Sequence, residues 1–108
     1  MAEHRMEARN QAYAKVIMDS RPGYLRNLTE DGCKIVMISA LPREVGETLT
    51  FQVIPDETSG VGRMTVDAEL RWKKKDGPYF VYGFRIESFA SEEDGKAYRE
   101  LVGQYARS

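Results

Sequence analysis

From Met64 to Trp72 apolar side chains recur at every second position: Met64, Val66, Ala68, Leu70, Trp72. That period matches a β-strand with one buried and one wet face, and it does not match a helix. A strand of this kind cannot stand alone, because its apolar face needs a second layer and its backbone needs neighbours on both edges. The rest of the chain supplies them. Tyr13 to Met18, Tyr24 to Leu28, Cys33 to Ile38 and Leu49 to Ile54 read as four earlier strands, the last stopped at Pro55. Tyr79 to Ile86 reads as a sixth, after the Met64–Trp72 strand.

Turn chemistry separates these runs. Ser20-Arg21-Pro22-Gly23 divides the first two strands, and a polar, Gly-containing loop from Asp56 to Gly62 precedes Met64. Lys73-Lys74-Lys75-Asp76-Gly77-Pro78 turns the chain back; Asp-Gly signals a hairpin, and Pro78 predicts a loop longer than two residues. After Ser91, a candidate N-cap followed by Glu92 and Glu93, the period changes to helical, with Ala97, Tyr98, Leu101, Val102 and Tyr105 on one stripe. Gly95 and Gly103 each weaken that helix by roughly 1 kcal/mol relative to Ala, so it depends on packing. Six strands and a terminal helix predict a mainly β fold: a six-stranded antiparallel barrel with the helix against one opening. The expected division is 1–12 as a flexible N-terminal arm, 13–90 as barrel and 91–108 as helix, all within one domain of 108 residues.

Composition narrows the function. A net charge of −1, with 31% charged residues, argues against a protein that coats DNA or RNA. No apolar run is long enough for a membrane span, and the charged start Met1-Ala2-Glu3-His4-Arg5 is unlike an export signal, so a cytoplasmic location without membrane insertion is expected. His4 is the sole histidine and Cys33 the sole cysteine, so neither a metal cluster nor a nucleophile–base pair can be assembled around them. Cys33, inside an apolar strand, reads as a core thiol. The chain is expected to be a binding protein and not an enzyme.

Two short patterns carry candidate chemistry. Arg5-Met6-Glu7-Ala8-Arg9 spaces two guanidinium groups by four residues, where they can grip two phosphates or a phosphate and a guanine edge. With ten arginines in the chain, about one such pair arises by chance, so the pattern carries little by itself. Asn27-Leu28-Thr29-Glu30-Asp31-Gly32 is more specific, with a chance expectation of roughly 0.07. It offers an amide, a hydroxyl and a glycine at a strand–strand turn; the same residues also suit an Asx-type turn with no ligand.

In order and spacing together, the two patterns resemble the PilZ domain. The likeness extends through Val45-Gly46-Glu47 before the fourth strand, Leu70-Arg71-Trp72 at the end of the fifth, Tyr82-Gly83-Phe84-Arg85-Ile86 in the sixth and the closing helix. The resemblance implies a six-stranded barrel that binds cyclic di-GMP on its outside, with the arginine arm folding over the ligand. Arg5 and Arg9 would then contact phosphates and the O6/N7 edge of guanine, Asn27 and Thr29 would read a guanine from the barrel surface, and Gly32 would hold the turn. No cofactor and no metal are implied. The family usually has Ser where this chain has Thr29, and Asn27 is one of two family choices, neutral where the other is a carboxylate.

Three functions fit these residues: a cyclic di-GMP receptor that signals to a downstream protein, a PilZ-type adaptor that binds protein alone, and an unrelated barrel for single-stranded nucleic acid. The last needs a basic groove with exposed aromatics, and Lys73-Lys74-Lys75 reads instead as a solvated hairpin tip.

Overall fold

The apolar alternation closes on itself. In the computed structural model, which describes residues 14–107, six antiparallel strands form a closed barrel in the order β1-β2-β3-β6-β5-β4. They are β1 (Ala14–Met18), β2 (Arg21–Leu28), β3 (Gly32–Met37), β4 (Thr48–Pro55), β5 (Met64–Asp76) and β6 (Tyr79–Phe89), followed by helix α1 (Glu92–Arg107). The arm with Arg5 and Arg9 lies outside the described residues.

Every strand sends one face inward. Val16, Ile35, Phe51, Val53, Val66 and Leu70 meet in a continuous core, with Phe51 and Phe84 in ring contact at 5.3 Å between centroids. Cys33 is part of this core, and burial pushes its thiol up to about 12. Helix α1 covers one end of the barrel. Tyr98 and Leu101 are fully buried there, and Ala97, Val102 and Tyr105 pack against the core at their edges. Burying one large apolar side chain contributes roughly 1.5–3 kcal/mol, so Tyr98 and Leu101 together outweigh the two helical glycines. Ser91 caps the helix, its Oγ accepting from the Asp94 N–H at 3.2 Å. Asp94 in turn accepts from the Thr65 N–H at 2.7 Å, which fixes the helix start to the start of β5.

The turns differ from expectation in two places. The first hairpin turns at Asp19 and Ser20, both with positive φ (52° and 63°), and Pro22 and Gly23 lie within β2. Two central residues with φ > 0 make the turn that matches strand twist. Asp19 is held there by Arg43, whose Nε and Nη2 donate to its carboxylate at 3.0 and 2.9 Å. Pro22 is tolerated because the β2–β3 ladder begins one residue later, at Gly23↔Met37. The second difference is the β5–β6 hairpin. Lys73, Lys74 and Lys75 are strand residues, and Asp76 pairs directly with Tyr79. The loop is the two residues Gly77-Pro78, with Gly77 at φ 61°. A glycine with positive φ ahead of a proline locked at negative φ suits a tight II′-type turn, so Pro78 shortens the loop that it was expected to lengthen.

Candidate functional site

Two register shifts shape the outer wall of the barrel. Between Leu25 and Asn27 the β2–β3 ladder slips by one residue, at Arg26. Strict alternation would put Asn27 on the inward face of Leu25; after the slip Leu25 and Leu28 are both buried, and Arg26 and Asn27 are both exposed. A second slip, at Arg71, falls between Leu70 and Trp72 in the β5–β6 ladder. It ends the inward series Met64, Val66, Ala68, Leu70 and turns Trp72 to the outside, where it is 42% exposed. The period-two reading of Trp72 is thus corrected: the bulge reverses its face.

These two bulges bring their residues to the same place. An open hollow of about 250 Å³ is lined by Asn27, Leu28, Thr29, Gly32, Cys33, Lys34 and Trp72. Lys34 pairs with both Asn27 and Gly83, and Gly83 pairs with Trp72, so the site crosses four strands in one row. The Trp72 indole lies against Gly83: a Cβ there would fall 2.2 Å from Cε2 and Nε1 of the ring. Only a glycine admits that contact.

The Asn27–Gly32 turn is tightly knit. The Thr29 N–H donates to the Gly32 carbonyl at 2.9 Å, and the Gly32 N–H donates to Thr29 Oγ1 at 3.2 Å. Gly32 also passes close to β6, where an added Cβ would lie 2.5 Å from the Phe84 carbonyl oxygen. Gly32 is required by this close approach; its φ is not positive. Asn27 Oδ1 accepts from the Leu28 N–H at 3.0 Å, while its amide nitrogen has no hydrogen-bond partner among the described residues. Lys34 forms no ion pair with a described residue. The wall therefore presents an amide donor, a hydroxyl, a cation and an indole face, a set that suits a planar heterocycle joined to an anion.

Asn27, Thr29 and Gly32 all line this hollow, and Arg5 and Arg9 fall outside the described residues. Trp72 and Lys34 were not among the expected site residues. The signal for Trp72 was Gly83 in the following strand, a residue with no side chain opposite a large aromatic. A larger hollow, about 490 Å³, lies beside the start of α1 among Phe89, Ser91, Glu92, Gly95, Lys96 and Arg99. Its charges are mixed and it contains none of the turn residues, so the chemistry favours the smaller site. Among the described residues no group of His, Cys, Asp and Glu could hold a metal ion, and no helix is long and apolar enough to cross a membrane.

This barrel, with its closing helix and outer turn site, is a PilZ-like domain in fold. Solved structures share it, among them these two. The PilZ domain with c-di-GMP of YcgR from Escherichia coli superposes with a TM-score of 0.63 at 17% identity, over 88% of this chain and 82% of that one. The Bacillus subtilis inhibitor of motility (MotI/DgrA) gives 0.65 at 13% identity, over 85% of this chain and 45% of that one. The chain thus corresponds to about half the length of the Bacillus protein. No family model matches the sequence, and no curated protein matches it.

Proposed function

We propose that this chain is a receptor for cyclic di-GMP. Asn27, Thr29, Lys34 and Trp72 form its wall, and Arg5 and Arg9 complete the site from the N-terminal segment. The observation that carries the reading is the bulge at Arg26, which places Asn27 on the same outer row as Lys34, Gly83 and Trp72. A structural neighbour, the PilZ domain of YcgR with c-di-GMP, supports the choice of ligand. The roles follow from chemistry. The Asn27 amide and Thr29 hydroxyl bond a guanine edge, the indole stacks on a base, and Lys34 neutralises a phosphate. The chain joins β1 at Ala14, one residue beyond the Lys15↔Tyr24 pair and so beside Leu25 of β2. Five residues span at most about 17 Å, which lets Arg9 reach the turn, and nine span about 30 Å for Arg5.

Charge-assisted contacts from these arginines would fix the arm over the ligand and remake the surface offered to a downstream protein. The chain acts by binding and not by catalysis. Isothermal titration with cyclic di-GMP, against GTP and cyclic di-AMP, tests the reading. Micromolar affinity, about −8 kcal/mol, is expected for cyclic di-GMP alone. No heat at concentrations near ~100 μM would leave the adaptor reading in its place.

A further inference from the structure

Below the turn site runs a second row on the same outer wall. Lys15 pairs with Tyr24, Tyr24 with Val36, Val36 with Val81, and Val81 with Lys74. Their strand neighbours Val16, Leu25, Ile35 and Tyr82 belong to the core, so alternation turns this row outward. Val36 and Val81 are nevertheless only 8% and 5% exposed, and they stand apart from the core cluster. The outside of the barrel has an apolar centre of its own.

Exposed Tyr24, Ile38 and Tyr79 rim a groove of about 350 Å³ over Val36, which Arg26 also lines. A chain of net charge −1 thus has Arg26 on this groove and Lys15 and Lys74 at the two ends of the row, none of them ion-paired with a described residue. Such a combination marks a docking surface for a partner of opposite charge.

We propose that this face receives an acidic amphipathic helix of a partner protein, with its apolar stripe over Val36 and Val81 and carboxylates at both ends meeting Lys15 and Lys74. Four strand intervals separate the two lysines by about 19 Å along the sheet, less across its curve. At 1.5 Å per residue, a helix covers that span with acidic residues roughly ten to thirteen positions apart. A bilayer fits worse, because the valines are sunk below their rim while a membrane needs apolar groups that project past the cations. A second copy of the chain fits worse too: its helix α1 has already buried its apolar residues Tyr98 and Leu101 on its own barrel.

The inference deepens the receptor reading by naming the partner's chemistry, but its test contains no nucleotide, so either can fail alone. Two dye-labelled helical peptides of about 18 residues share a leucine stripe; one has glutamates at both ends, the other lysines. Fluorescence anisotropy with the whole chain should show binding of the glutamate peptide and not of the lysine peptide. Lys15→Glu with Lys74→Glu should weaken the glutamate peptide at least about tenfold and confer binding of the lysine peptide. Ile38→Ser with Tyr79→Ser, at exposed positions, should also abolish binding. Equal binding of both peptides to the wild type, binding of neither, or sedimentation with phosphatidylglycerol vesicles while the peptides are ignored would each overturn the proposal.

Discussion

The Tyr98 hydroxyl, on α1, donates to the Thr29 carbonyl at 2.7 Å, and it also reaches the Gly32 carbonyl at 3.3 Å. The two residues are 69 positions apart, yet this bond ties the closing helix to the Asn27–Gly32 turn. Burial pushes the phenol well above its usual range, so it stays protonated and donating at any ordinary pH. Its ring is fixed by Phe89, 5.1 Å away between centroids.

Tyr98→Phe keeps that ring contact and removes only the hydroxyl. Loss of a hydrogen bond to a partly buried carbonyl should cost about 1–2 kcal/mol in urea unfolding. Amide exchange at Asp31 and Gly32 should quicken, because the helix no longer restrains the turn. Unchanged exchange there would mean that Thr29 and Gly32 hold the turn without the helix.

Arg5→Ala and Arg9→Ala should each weaken cyclic di-GMP binding at least tenfold, the equivalent of one charge-assisted hydrogen bond of roughly 1.5–3 kcal/mol. Neither should move the thermal melt of the free protein. Asn27→Ala should weaken binding as well, with a small loss of stability because the Leu28 N–H loses its acceptor. Hydrogen exchange should show new protection at 5–12 and 27–32 on adding ligand; an arginine variant that binds like the wild type would misplace the site.

Trp72 is the only tryptophan in the chain, so its fluorescence reports the site directly. Cyclic di-GMP should quench or shift the emission by stacking a base on the indole. Gly83→Ala should shift it without ligand, because the new methyl cannot share space with the ring, and should weaken binding in titration. An emission indifferent to saturating ligand would remove Trp72 from the site.

Four described carboxyls, Asp19, Glu47, Asp56 and Asp94, are held below the usual range and contribute to the response to acid. The hydrogen bonds from Arg43 hold Asp19 below the usual carboxylate range, and those from the Thr65 N–H and the Ser91 hydroxyl do the same for Asp94. A carboxyl depressed in the fold contributes stability that is fully present above its unfolded value, about 3.9, and is lost as pH falls through the folded value. Denaturant stability should therefore hold from neutral pH down to about 5 and decline below about 4. Asp19→Asn should lower the neutral plateau and shallow the decline; a decline of unchanged depth would assign the acid response to other groups.

The strands and the helix were legible because each has a period that its own residues set. Val16, Val53, Val66 and Leu70 announce an inward face, and Tyr98 and Leu101 a helical stripe, whatever they pack against. The turn motif was legible for a similar reason. Thr29 and Gly32 are three residues apart, and their hydrogen bonds close locally. The hairpin tip was less so: Gly77-Pro78 forms a two-residue turn because β5 and β6 stay paired out to Asp76↔Tyr79, and no residue within the loop reveals how far its flanking strands pair.

What the sequence determined by itself was the inventory: six strands, one helix, an inward face for the Met64–Leu70 series, an apolar stripe on the helix and a polar turn after Leu28. What tertiary structure alone decided was which way Asn27 and Trp72 face. Local alternation puts Asn27 in phase with Leu25 and Trp72 in phase with Leu70, both inward. The slips at Arg26 and Arg71 reverse both, and a slip is a property of two strands at once. It falls where β3 holds Leu25 and Leu28 together in the core, and where β6 offers Gly83 as a floor for the indole. Those partners lie up to a dozen residues away in sequence, so no local pattern contains the site that they make.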